Sequence, residues 1–192
     1  VVEGPWTTNI QLYVNTERKP FDDVRIRQAL TLALDRWGGS VNLGKISLIK
    51  GVSGTFRPGA SWSLPKAELE KLPGFWPDIE KSRAEAKRLL AEAGHPNLKL
   101  KFLNRQLGQP FQPAGIYTVD QWRRVGIQAE HMELETKVYF DVLAKGDFDV
   151  AVNNISDFAD DPSAQFNTLV SKHKSAISFS RHGDRKLDEL FD

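Results

Sequence analysis

The stretch from Leu98 to Val152 constrains the fold most. Leu98, Leu100 and Phe102 alternate with Lys99 and Lys101. Successive strand side chains point to opposite faces, so this is a strand with one buried side. A helix is predicted near Ala114 to Val125, with Gly126 as its stop. Ile127 to Leu134 then reads as a second strand. Thr136 is placed to cap a helix bearing Tyr139, Val142 and Leu143, which Gly146 ends, and Phe148 to Val152 reads as a third strand. Strands alternating with helices at this spacing imply an α/β fold with right-handed parallel crossovers.

The chain before this unit is consistent with that reading. Ile10, Leu12 and Val14 alternate as a short strand. Asp22 or Asp23 then caps a helix whose apolar face is Ile26, Ala29, Leu30, Ala33, Leu34 and Trp37, and Gly38-Gly39 is expected to end it. A further helix is expected within Val41 to Lys50. Asp78 caps another that runs to Ala93, with Gly94 at its C-terminus and Pro96 barring continuation. Asp161-Pro162 and Asp184 mark two later helix starts. Residues 51–65 are rich in Gly, Ser and Pro and read as a loop. Its Phe56 and Trp62 are read two ways: as staples to the core, or as the wall of a ligand pocket.

Charge and composition narrow the function classes. The 192 residues carry 26 Lys and Arg against 25 Asp and Glu, a net charge of +1. There is no electrostatic case for a nucleic-acid partner or an anionic membrane. No apolar run reaches membrane-spanning length. With no cysteine, disulfide and thiolate chemistry are excluded. His95, His131, His173 and His182 show no metal-ligand spacing, and no phosphate-binding or nucleophile motif occurs. Asp157, Asp160 and Asp161 offer oxygen ligands for Ca²⁺, without the spacing of a calcium loop. No metal, no cofactor and no enzymatic activity are expected.

One set of segments is more specific than any of these patterns. LYVNTERKPFDDVRIRQALTLALDR is followed in order by AEAKRLLAEAGHP, WRRVGIQAE, KGDFDVAV, DDP and LDELFD. Together they resemble the extracellular solute-binding proteins of peptide-type (oligopeptide and dipeptide) ABC importers, family 5. The resemblance covers nearly the whole chain from Ile10. It implies one lobe of a type II periplasmic-binding-protein fold, a mixed sheet with flanking helices. Residues 1–192 would then be the second, C-terminal lobe of a two-lobed protein, an excised fragment lacking the first lobe and a returning C-terminal segment. The function implied is capture of a small peptide or other small organic solute between two lobes and delivery to ABC permease subunits in the membrane. The compartment implied is periplasmic or cell-surface. The same lobe pair also occurs as a ligand sensor fused to DNA-binding domains of transcription regulators, and that alternative stays open at this point.

In an open α/β sheet, ligands bind beyond the carboxyl ends of the strands. Those ends offer Asn104 and Arg105 after one strand and Asn153, Asn154, Asp157, Phe158 and Asp160 after another. With Trp62 these are the candidate ligand-binding residues. The resemblance adds one point: peptide-binding members carry a Trp and then an Asp before the acidic residue and proline, and this Asp pairs with the peptide amine. Counted back from Pro162, those positions fall on Ile155 and Phe158, with Asp157 one residue off register. Phe158 is therefore expected to face the cleft and Asp157 to face away.

Overall fold

The computed structural model describes residues 8–49, 51–156 and 161–191. Strand β1 (Thr8–Val14) leads into α1 (Val24–Leu32), α2 (Arg36–Leu43), the single turn α3 (Lys66–Leu69) and α4 (Ile79–Glu92). The alternating unit follows as β2 (Lys99–Arg105), α5 (Phe111–Arg123), β3 (Gln128–Leu134), α6 (Thr136–Lys145) and β4 (Val150–Ser156). The short α7 (Ser163–Phe166) and α8 (Arg185–Phe191) close it. The four strands form one sheet in the order β1-β4-β2-β3. β2 runs parallel to both β3 and β4, while β1 is antiparallel to β4 with Val14 opposite Val150. The α/β expectation and the mixed sheet both hold, with parallel crossovers through α5 and α6.

Helices cover the two faces of the sheet. On one face, Phe102, Leu100, Val150 and Val152 meet α1, α4 and α5 through Ile26, Leu30, Leu90 and Trp122, all buried. Trp122 is wholly enclosed, and its indole N–H donates to the Leu30 carbonyl at 3.0 Å, so its one polar atom is satisfied. On the other face a smaller cluster of Leu103, Tyr139, Leu143, Phe148 and Ala151 sits under α6. Tyr139 donates its hydroxyl to the Val152 carbonyl at 2.8 Å.

Capping follows the sequence in most places. Asp23 accepts from the Arg25 N–H and Asp78 from the Lys81 N–H, each filling an otherwise unpartnered donor of a first turn. Gly94, Gly126 and Gly146 all take positive φ, the conformation that ends a helix at least cost in a residue without Cβ. At α6 the capping side chain is Glu135 and not Thr136.

The largest departure lies at residues 33–39. The expected single helix through Trp37 stops at Leu32, and α2 starts afresh with Asp35 accepting from the Gly38 N–H at 2.8 Å. Gly38-Gly39 thus sits inside a helix and does not end one. A Cβ on Gly39 would lie 2.6 Å from the Tyr117 hydroxyl, so the pair is there for a close approach to α5. The restart also carries Trp37 off the α1 face, so that its indole N–H bonds the Phe75 carbonyl. Beyond Leu43 the helix expected in residues 41–50 gives way to turns.

Candidate ligand-binding site

The carboxyl ends of β2 and β4 lie side by side, and Arg105 is the last residue of β2. Its Nη2 donates to the Asn153 side-chain oxygen at 3.1 Å and to that of Asn154 at 2.5 Å. The guanidinium lies over the Phe111 ring, 3.7 Å from its centroid, with Phe140 at 5.3 Å and Tyr139 at 5.6 Å. Among the described residues no carboxylate pairs with it. Its Nε–H is buried with no hydrogen-bond partner among the described residues. Burial pushes the guanidinium below its ordinary value, with Tyr139 opposing; arginine keeps its charge in proteins regardless.

The local chain explains this placement. Parallel pairing of β2 with β3 carries Arg105 opposite Leu134, two residues before the start of α6. That brings Tyr139 and Phe140 from the first turns of α6 over one side of the guanidinium. Phe111, the first residue of α5, comes from the crossover that follows β2 directly. Cation–π contact with several rings lets a charged group sit partly out of water. The result is a cation held by neutral groups at the strand ends, where an α/β sheet offers its ligand cleft. Among the described residues, its charge meets only neutral groups.

The candidate residues divide in the structure. Arg105, Asn153 and Asn154 come together. Asn104 neighbours Arg105 but projects from the opposite face of β2, is completely buried, and bonds only inside the protein. It therefore supports the strand end and does not face the cleft. Strand alternation is the reason: consecutive residues cannot both face α6. Trp62 is 57% exposed on the 51–65 loop, with no hydrogen bond or ring contact to the Arg105 group. Phe56 instead meets Phe166, itself 36% exposed, edge-on at 6.2 Å. Asp157, Phe158 and Asp160, and with them the expected orientation of Phe158 and Asp157, lie outside the described residues. Phe111 and Phe140 were missed by the sequence reading. The legible signal was an aromatic residue at the start of each helix that follows the β2 and β3 ends. At the far end of the β1–β4 pair, the Thr8 and Ser156 hydroxyls bond each other and Asn9 donates to the Thr55 carbonyl.

Among the described residues no group of three or more acidic or histidine side chains is placed to hold a metal, and no helix is long and apolar enough to cross a membrane.

Known proteins give this geometry a context. The periplasmic oligopeptide-binding protein OppA of Escherichia coli strain K12 is 27% identical over 192 residues, which is 97% of this chain and 34% of that protein. A probable deoxycholate-binding periplasmic protein of the same organism, YgiS, is 28% identical over 172 residues, 85% of this chain and 30% of that one. Among solved structures, the murein tripeptide-binding protein MppA of Escherichia coli superposes with a TM-score of 0.79 at 25% identity, covering 97% of this chain and 36% of that one. The chain thus spans about a third of the length of these relatives. They are solute-binding proteins of the periplasm, and nothing in the comparison favours a transcription regulator. The family model for bacterial extracellular solute-binding proteins, family 5, middle region, matches residues 1–176, and the chain belongs to that family.

Proposed function

We propose that this chain is one lobe of a periplasmic or cell-surface solute-binding protein of an ABC importer. The protein captures a small peptide or other small organic solute between this lobe and a second one, and delivers it to permease subunits in the membrane. No bond in the ligand is made or broken. Closure is a two-state equilibrium, biased by a ligand that contacts both lobes.

The observation that carries the reading is Arg105. It is a guanidinium without a carboxylate partner among the described residues, ringed by aromatics, at the strand ends where the fold presents its cleft. A charge-assisted hydrogen bond to a carboxylate is the strong interaction open to it. The aromatic rings beside it suit an apolar portion of the same ligand. The relatives' names span oligopeptides and deoxycholate; both molecules combine a carboxylate with apolar groups, which fits this arrangement. Calorimetry of the full-length protein with trialanine and its C-terminal amide tests the reading. The free carboxylate is expected to bind at least tenfold more tightly, and Arg105→Met to remove that difference. Equal affinity for the two forms would refute it.

A further inference from the structure

We propose that Asn104 and His131 are positioning residues for the Arg105–Phe111 pair, and that they hold it only while the His131 ring is neutral. The Asn104 amide is the junction. Its oxygen accepts the Arg105 backbone N–H at 2.8 Å. Its nitrogen donates to the Phe111 carbonyl at 2.9 Å and meets His131 Nε2 at 3.1 Å. The two backbone groups it grips belong to the two residues whose side chains stack at 3.7 Å in the cleft. One buried amide thus fixes both halves of the candidate anchor.

The proton arrangement follows from the partners. A backbone N–H only donates and a carbonyl only accepts, so the Asn104 amide has one possible orientation. Its second N–H must point at His131 Nε2, which therefore accepts, and the ring proton sits on Nδ1. Protonating the ring would set two donors against each other at 3.1 Å. The ring has little room to turn away. It stacks on Phe102 at 5.3 Å between centroids, and a Cβ on Gly115 would lie 2.6 Å from Nε2.

Among the described residues Glu133 alone favours the protonated form, and burial outweighs it. β2 faces the ring with Phe102 and Asn104, and α5 faces it with Gly115. Lys101 and Arg105 leave β2 on the opposite face by strand alternation. Glu133, on the same strand as His131, is the charged group acting on it. Burial pushes the ring below its ordinary value, with Glu133 opposing. The ring is thus neutral at pH 7 and charges only on acidification.

As control of ligand affinity, this inference depends on the proposed role of Arg105; as a structural coupling it does not. The test separates the two. In the isotope-labelled, ligand-free protein, NMR follows the His131 ring carbons, the Asn104 side-chain amide and the Arg105 Nε–Hε pair from pH 8 to pH 5. The Asn104 and Arg105 signals are expected to move with the His131 midpoint. His131→Gln, which keeps an acceptor that does not titrate, should abolish both shifts. His131→Phe, which keeps the stack and removes the acceptor, should hold both signals at their acid positions throughout. An Arg105 signal that stays flat while His131 titrates, or that moves equally in His131→Gln, would overturn the coupling. A parallel titration with trialanine reads the functional arm, with affinity expected to fall at least tenfold across the midpoint in the wild type and to stay level in His131→Gln. If trialanine fails to bind at any pH, the carboxylate reading of Arg105 fails while the spectra still decide the coupling.

Discussion

Gly115→Ala gives a direct measure of how tightly the strand end is held. In a helix interior this change ordinarily stabilises, by about 1 kcal/mol, because alanine loses less backbone freedom on folding. Here the added methyl would lie 2.3 Å from Asn104 Nδ2 and 2.6 Å from His131 Nε2, inside any real contact distance. Neither neighbour is a loose end. Asn104 is fully buried with its amide bonded on both sides, and His131 is stacked on Phe102. Forcing one methyl into a packed site costs about 1–3 kcal/mol. Displacing the Asn104 amide, so that a buried donor loses its acceptor, costs about 1–3 kcal/mol more. Set against the helix gain, the net expectation is a loss of about 1–5 kcal/mol, centred near 3. With a slope of about 2–3 kcal/mol/M, the urea midpoint falls by roughly 1 M. Gly108→Ala is the control, since a Cβ there meets nothing within 4 Å, and its midpoint is expected to stay near the wild type. Adding His131→Ala to Gly115→Ala opens the space again. The pair should therefore couple favourably, as neighbours sharing one cavity do. A Gly115→Ala protein as stable as the wild type would refute the packing argument, and with it the claim that the Asn104 amide is locked.

Trp122→Phe should cost about 2–3 kcal/mol in urea unfolding, from lost volume and from a Leu30 carbonyl left without its indole donor. Asp23 is held at about 2 by hydrogen bonds from Arg25. Its folded value lies below the unfolded one, so its contribution is fully present above about pH 4 and is lost as pH falls toward 2; Asp23→Asn should flatten that part of the stability profile in a pH series. If Phe158 faces the cleft in place of an aspartate, the full-length protein should bind N-acetylated and free trialanine alike in calorimetry. Loss of binding on acetylation would return the amine anchor to Asp157.

Much of the fold was legible because its pattern is local. The alternation in 98–102 marks β2 as a strand, although Leu103 is buried under α6 on its other side, so both of its faces are covered; glycines 94, 126 and 146 stand at turns that require positive φ. The misreading at residues 33–39 has a non-local cause. Gly38-Gly39 carries the composition of a helix stop, but Gly39 is small because Tyr117 of α5 packs against it. Nothing within ten residues of Gly39 announces that neighbour. The position of β1 is likewise set from afar: its alternation identified a strand, while its antiparallel pairing with β4 joins residues some 140 positions apart, as in the Thr8–Ser156 pair.

The site follows the same division. Topology names the strand ends, and so Arg105, Asn153 and Asn154 were within reach of a reader with the sequence alone. Which of two adjacent polar residues faces the cleft is a matter of register, and register is fixed by what the rest of the strand must bury. Phe102 and Leu100 have to meet Trp122 and the α1–α4–α5 layer. That requirement places Asn104 on the same inner face and turns Arg105 outward to Phe111 and Phe140. The orientation of the Arg105 charge therefore depends on apolar residues three and five positions earlier in the strand. Shifting that alternation by one residue would bury the guanidinium against α5 and expose the amide. The expected consequence is loss of stability before any loss of ligand selectivity, because a charge would be enclosed where only the Phe111 carbonyl and the His131 nitrogen are now available to it.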